Sequence, residues 1–221
     1  DTENDNIAIG YDALGGSIDG GEYNVALGNY SLDANTTGSR NTAIGYQSLS
    51  GVTTGNDNVA LGRRAGLTIT TGNKNTAIGT NSLWYNTTGD KNTALGDGAL
   101  HLTTTGQNNT AIGLNAGFSN TTGENNVFVG YKAGNNDNYQ TASNKLVIAN
   151  SNTTTPLIDG DFDAATLTVN GALTANSVSA AGLNLGGTAV TATAAELNLL
   201  DGVTALGATS INGLSDALLE G

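Results

Sequence analysis

The chain has 221 residues, enough for one large or two small domains, yet only 5% are aromatic and 12% charged, which is poor material for an ordinary globular core. Seven Lys and Arg against 19 Asp and Glu give a net charge of −12 and a pI near 4.1, which argues against binding to nucleic-acid phosphates or anionic lipid surfaces. The absence of Cys excludes disulfides and thiolate sites, and no apolar run approaches the length of a membrane span.

The 32 glycines, with abundant Asn, Thr, Ala and Ser, would indicate disorder in an aperiodic chain, because such a composition cannot bury enough apolar surface to offset its ordering entropy. Here the composition is periodic. The chain opens at Asp1 without Met and without a visible signal peptide, as a processed or excised piece would. Aligned on the Gly that ends each N-x-[AF]-[ILV]-G pentad, eight copies fall at Gly10, Gly28, Gly45, Gly62, Gly79, Gly96, Gly113 and Gly130, spaced by 18 and then six times by 17. A second Gly, closing a T-T-G triplet, recurs every 17 residues from Gly38 to Gly123, and Gly21 continues that series backwards. Two turns per repeat follow.

A period this fixed is the signature of a solenoid, in which each unit buries its apolar face only against its neighbours. The pentads alternate with period two, placing Thr42 and Ile44 on one face and Ala43 on the other. Two Gly per 17 residues, β-branched residues and T-T-G turns all disfavour helix. The expectation is an all-β fold, a parallel β-roll or β-helix of eight coils about 4.8 Å apart, roughly 40 Å in all.

Each pentad opens with Asn, at Asn6, Asn24, Asn41, Asn58, Asn75, Asn92, Asn109 and Asn126. A side-chain amide both donates and accepts, so a stacked Asn column can bond the coils above and below and satisfy turn backbone. Asn41, Asn58, Asn75, Asn92, Asn109 and Asn126, with Gly45, Gly62, Gly79, Gly96, Gly113 and Gly130, are therefore assigned a structural turn ladder, the alternative being a polar ligand ladder. The recurrent Gly residues are expected to supply positive φ. Three residues after each pentad Gly stands a small residue, for example Ser48, Ala65 and Ser82, followed by Leu or Gly. With two or three large apolar side chains per coil the core is thin, so association through the Ala/Ser face is expected, most simply as a homotrimer.

The slot five residues after the pentad Gly holds Leu67, Trp84, His101 and Phe118 in four successive copies, with Tyr85 beside Trp84. If the coils stack in register these form one ladder. The plain reading is apolar cover for a loop edge, packing on a neighbouring subunit. The sharper one is an aromatic strip that stacks on the sugar rings of a surface glycan. His101, the only His, has no nucleophile or orienting carboxylate recurring near it, so no catalytic site is assigned. Asn135-Asn136-Asp137-Asn138 lacks the Gly and distal Glu of an EF-hand loop and reads as a solvated turn, so no metal or cofactor is expected.

Past Gly134 the period breaks. Residues 1–139 are read as the repeat domain, 140–170 as a cap or neck in which Leu146-Val147-Ile148 closes the last coil or forms a neck strand, and 171–221 as a thin, intertwined shaft. Thr193-x-x-Glu196 fits a capping box opening a short helix to Gly202, and a second short helix is expected from Leu214 to Leu219.

The pentads resemble those of trimeric autotransporter adhesin heads over residues 6 to 134. The 17-residue N-T-A-I-G-Y-x-[SA]-L-x-x-x-T-T-G form resembles more closely the repeats of phage tail fibres and bacterial tail-fibre-like proteins. The passages from Ser143 to Ser151, Pro156 to Phe162 and Leu167 to Gly171 look like the segment ending such repeats, and Thr193-Ala194-Ala195-Glu196-Leu197-Asn198-Leu199-Leu200-Asp201-Gly202-Val203-Thr204 is similar to a motif common in tail fibres. The resemblance implies a left-handed roll and a trimer. It further implies a structural, non-enzymatic segment of an extracellular or virion fibre supporting host attachment. Its partners would be its own copies, other fibre or baseplate proteins and a host-surface polysaccharide. A bacterial surface adhesin head is the alternative. Ser215-Asp216 continues into Ala217-Leu218-Leu219 rather than the Arg and Lys of the self-cleaving fibre chaperone, so no proteolytic activity carries over.

Overall fold

A computed structural model describes residues 5–172 and the strand pair Leu183–Leu185 and Thr188–Val190. The chain divides into two compact units, Asp1–Leu173 and Thr174–Gly221. The first is a β-solenoid. Its strands are the pentad centres: β1 (Ile7–Ile9), β2 (Val25–Leu27), β3 (Thr42–Ile44), β4 (Val59–Leu61), β5 (Thr76–Ile78), β6 (Thr93–Leu95), β7 (Thr110–Ile112) and β8 (Val127–Val129). They lie parallel in chain order, equivalent residues opposite one another, as Thr42, Ala43 and Ile44 stand opposite Val59, Ala60 and Leu61. One period is thus one coil, and the inserted residue before Gly21 is absorbed without loss of register between β1 and β2.

The sheet continues past the repeat. Strand β9 (Lys145–Ile148) lies parallel on β8, Leu146 opposite Val127; β10 (Ile158–Asp161) and β11 (Thr166–Val169) follow antiparallel. Between β8 and β9 the Asn-rich stretch forms a 3-10 turn, Asp137–Tyr139, whose Asn136 side chain accepts the Asn138 N–H at 3.0 Å. It seats Tyr139 edge-on against Phe128, ring centroids 5.8 Å apart. The second unit holds an antiparallel pair, β12 (Leu183–Leu185) with β13 (Thr188–Val190). The helices expected at Thr193–Gly202 and Leu214–Leu219, with most of the shaft-like stretch, lie outside the described residues.

From β2 to β8 the period-two alternation holds, the middle residue of each strand being buried, but the two faces have the reverse of their expected roles. Ala26, Ala43, Ala60, Ala77, Ala94 and Ala111 are completely buried inside the coil, as are Ser31, Ser48, Ala65, Ser82, Ala99 and Ala116. The Ala/Ser face is therefore closed within one chain and cannot carry association. The alanines share one core with Leu32, Leu49, Val52, Ile69, Leu83 and Leu100, whose larger side chains fill the coil opposite small ones. What faces outward is the branched column Ile9, Leu27, Ile44, Leu61, Ile78, Leu95, Ile112 and Val129, half-buried to exposed along the whole stack.

The large core side chains come from the residue after each small one. Leu32, Leu49, Leu83 and Leu100 are fully buried and adopt left-handed backbone, φ 48–50°. That conformation costs an L-residue on the order of 1–2 kcal/mol. Burial of a Leu side chain contributes about 1.5–3 kcal/mol, and the Leu N–H bonds the next coil, as Leu49 does to the Ala65 carbonyl at 3.0 Å. Where this slot is Gly, a neighbour fills the volume. A Cβ on Gly66 would stand 2.9 Å from Ile69 Cδ1, and one on Gly117 2.6 Å from the ring of Phe128, the residue replacing Ala in β8.

The two Gly series do different work. Pentad glycines such as Gly45 and Gly62 have φ of 130° and 138°, as expected. The T-T-G glycines do not have positive φ: at Gly55 and Gly72 the carbonyl of the next coil's Gly lies 2.5 and 2.7 Å from where a Cβ would be. They are needed for close approach between coils. The left-handed corners fall instead on residues such as Arg40, Asp57, Lys74 and Lys91, each just before a ladder Asn.

Candidate functional site

Leu67, Trp84, His101 and Phe118 occupy one column on the turn that follows the strands. The residue after each slot donates its N–H to the slot residue's carbonyl one coil on, Thr68 to Trp84 (3.1 Å), Tyr85 to His101 (3.0 Å) and Leu102 to Phe118 (3.1 Å), so backbone pairing sets the side chains in register. His101 and Phe118 stack at 4.7 Å with planes 6° apart, and Trp84 meets His101 at 5.4 Å. Tyr85 lies 6.0 Å from Trp84, planes 28° apart, and edge-on to His101 at 5.4 Å. Tyr85 is 46% exposed; Leu67, Trp84, His101 and Phe118 are half-buried. The sequence places all five on one surface, and the structure joins the four ring-bearing residues in direct contact.

Two polar groups complete the strip. His101 Nδ1 lies 3.0 Å from the Asn81 main-chain carbonyl, and since a carbonyl oxygen only accepts, Nδ1 carries the proton. In the neutral ring Nε2 is then an acceptor. Arg64, at a left-handed corner, sets its Cζ 5.2 Å above the Trp84 ring while its Nε donates to Gln47 Oε1 at 3.0 Å. Among the described residues no carboxylate pairs with Arg64; the ion pairs are Arg40 with Asp57 and Lys145 with Asp161.

The Asn column fills the coil interior. In each step Oδ1 accepts the main-chain N–H of the next Asn, as Asn58 Oδ1 does from Asn75 at 3.0 Å. Nδ2 donates to a T-T-G glycine carbonyl, Asn41 to Gly55, Asn58 to Gly72, Asn75 to Gly89 and Asn92 to Gly106, at 2.8–2.9 Å. From Asn24 to Asn126 these side chains are buried, with both Oδ1 and Nδ2 engaged within the stack. The pentad glycines sit at the ends of the same strands.

Other columns escaped the sequence reading. The first Thr of each T-T-G donates its hydroxyl to the equivalent carbonyl one coil on, Thr36 to Thr53, Thr53 to Thr70, Thr70 to Thr87, Thr87 to Thr104 and Thr104 to Thr121 (2.9–3.3 Å). Tyr11, Tyr30 and Tyr46 form an edge-to-face run at 5.4 and 6.0 Å, and burial followed by the neighbouring tyrosines raises the Tyr30 hydroxyl pKa. Arg40 pairs with Asp57 (2.6 Å), and that hydrogen bond holds the Asp57 carboxyl below its usual range. Tyr139 is pushed up to about 12, first by burial and then by Asp159, whose carboxylate its hydroxyl approaches at 3.4 Å. Comparing equivalent slots in adjacent copies exposes the Thr column; Tyr30 is one slot off Tyr11 and Tyr46 and leaves no such trace.

Against protein-family models, curated proteins and solved structures alike, the chain shows no match. What the protein does must be read from its own columns of side chains.

Proposed function

We propose that the chain is a structural, noncatalytic segment of an extracellular trimeric fibre, of the kind that phage tail fibres and tail-fibre-like proteins use to reach a host surface. The observation that carries this reading is the outward Ile/Leu/Val column. Leu61, 46% exposed, is typical of a strip of branched side chains running without interruption from β1 to β8. A contiguous apolar face of that length marks an interaction surface. Because it repeats once per coil, its natural complement is another rod of the same pitch, and the most economical partner is a second and third copy of the chain. The left-handed coil implied by the tail-fibre-like repeat accommodates such an arrangement, with the branched column at the trimer axis and the turn columns outward. The fibre reading is preferred to an adhesin head because the T-T-G triplet completes the 17-residue form that resembles tail-fibre-like repeats. Other fibre or baseplate proteins would continue the assembly, and a host-surface polysaccharide would be its target.

Light scattering tests this directly. The expected mass is three times the 22.1 kDa chain, about 66 kDa, falling to that of one chain for Ile44→Lys with Leu61→Lys while the β-rich circular dichroism persists. A wild-type chain that stays monomeric over a wide concentration range would refute the trimeric fibre.

A further inference from the structure

We propose that the Trp84–Tyr85–His101–Phe118 strip, with Arg64 at its end, binds a carboxylate-bearing glycan. The inference deepens the fibre reading by naming a ligand class. It is tested independently of trimerisation.

Three observations converge. First, the aromatic residues depart from the repeat on three consecutive coils only. The same slot holds Gly15, Asp33 and Ser50 earlier in the chain and Asn135 later. A surface that serves rod-to-rod packing repeats on every coil, as the Ile/Leu/Val column does, whereas a local break in the pattern points to a local task. Secondly, the strip has the amphipathic chemistry of a sugar platform. Tyr85, 46% exposed beside Trp84, offers its ring to the C–H side of a pyranose, and Trp84 and Phe118 are two coil steps of about 4.8 Å apart, which matches roughly two sugar units. With Nδ1 committed to the Asn81 carbonyl, His101 Nε2 is an acceptor for a sugar hydroxyl.

Thirdly, the strip's charge opposes that of the chain. Against a net −12, the corner residues on the coils of the strip and its neighbours include Arg63, Arg64 and Lys132, with Asp97 as the one carboxylate at equivalent positions on the fourth to eighth coils; the other, Asp12, lies on the first coil. Arg64 spends Nε on Gln47 and leaves both terminal nitrogens available, which is the fork that receives a carboxylate in two parallel bonds. Its seat over Trp84 places that fork beside the stacking surface. Distant acidic groups oppose an anionic ligand weakly, because at physiological ionic strength their field decays over about 8 Å.

Trp84 is the only Trp, so tryptophan emission reports this strip alone. The full chain is titrated with a galacturonic acid tetramer and with maltotetraose as a neutral control, and its mass is measured in the same samples. The expected result is a saturable emission change with about tenfold tighter binding of the acidic probe, equivalent to about 1.4 kcal/mol. Added salt should weaken the acidic probe alone. Arg64→Gln should bring the acidic probe to the neutral level, and Tyr85→Ser, at an exposed position, should weaken both probes without altering mass or circular dichroism. Absence of saturable binding by either probe, equal binding of both, or an unchanged preference in Arg64→Gln would each overturn the inference. So would Trp84 emission that follows protein concentration and ignores sugar, which would assign the strip to packing between copies. A monomeric mass with retained acidic-sugar binding would refute the trimer and leave this site standing.

Discussion

Replacing Asn75 with Ala removes one rung from the buried amide ladder at mid-stack. Asn75 is 1% exposed; its Oδ1 accepts from the Asn92 N–H (3.0 Å) and Nδ2 (3.2 Å), and its Nδ2 donates to Asn58 Oδ1 (3.1 Å) and the Gly89 carbonyl (2.8 Å). The losses are unequal. Gly89 O keeps a donor in Asn86 Nδ2 and Asn92 Nδ2 keeps the Gly106 carbonyl, so the group left without a partner is the Asn92 N–H. An orphaned buried donor costs about 1–3 kcal/mol, and each hydrogen bond lost between groups that keep another partner about 0.5–1.5 kcal/mol. With one orphan and three such bonds the expected destabilisation is about 2.5–7.5 kcal/mol, measured by denaturant unfolding at one fixed protein concentration so that any association is held constant. Thr105→Ala, on the exposed second Thr of a triplet, is the control and should change stability by under about 0.5 kcal/mol. An Asn75→Ala variant as mild as that control would show that the ladder is not holding the coils together.

Ala60→Leu forces three extra carbons into a completely buried slot and should cost about 1–3 kcal/mol or more, whereas Leu61→Ala one residue along should leave monomer stability nearly unchanged and lower the mass. If Ala60→Leu folds normally and Leu61→Ala unfolds the chain, the assignment of faces is wrong. Phe128→Ala should cost about 3–5 kcal/mol in denaturant unfolding, because the Gly117 and Gly134 that pack on its ring have no side chains to move into the space and Tyr139 loses its edge-on partner. Tyr139 should ionise near 12 in an ultraviolet pH titration, and Asp159→Asn should lower that midpoint. Because its folded pKa is raised, its contribution to stability is complete below the ordinary tyrosine pKa of about 10 and is lost as pH rises from there through about 12.

The rod was legible because a solenoid writes its geometry as a period. The spacing of Gly45, Gly62 and Gly79 is the coil length, and the Asn before each strand is readable from the hydrogen-bonding capacity of an amide at a turn. The inside of the coil was less legible. Alternation states that Ala43 and Ile44 point oppositely and says nothing about which points inward. Side-chain size suggests Ile as core and Ala as contact. The occupancy of the core decides otherwise: where Leu from the turn fills the coil, the strand slot takes Ala, and where Gly117 and Gly134 stand in the Leu slot, it takes Phe128. The left-handed Leu at positions 32, 49, 83 and 100 then supplies the bulk that the strand cannot. No propensity rule would have placed Leu at φ near 50°, because tertiary burial there overrides an unfavourable backbone.

The inverted faces bear directly on assembly. An Ala/Ser contact face would have been flat and nearly featureless, able to let two backbones approach but giving little hydrophobic return per coil. The Ile/Leu/Val face offers a branched side chain on every rung, and each methylene group removed from water contributes about 0.8 kcal/mol. Small increments repeated over eight coils make association strongly length-dependent. If the chain assembles as proposed, one shortened from the N-terminus by whole coils should lose its trimeric mass before it loses its fold, because every coil removed subtracts from the outward column while the remaining coils keep their Asn rungs and buried side chains. If shortened chains unfold while still associated, the intrachain ladders, and not the outward column, are the weaker bond in the rod.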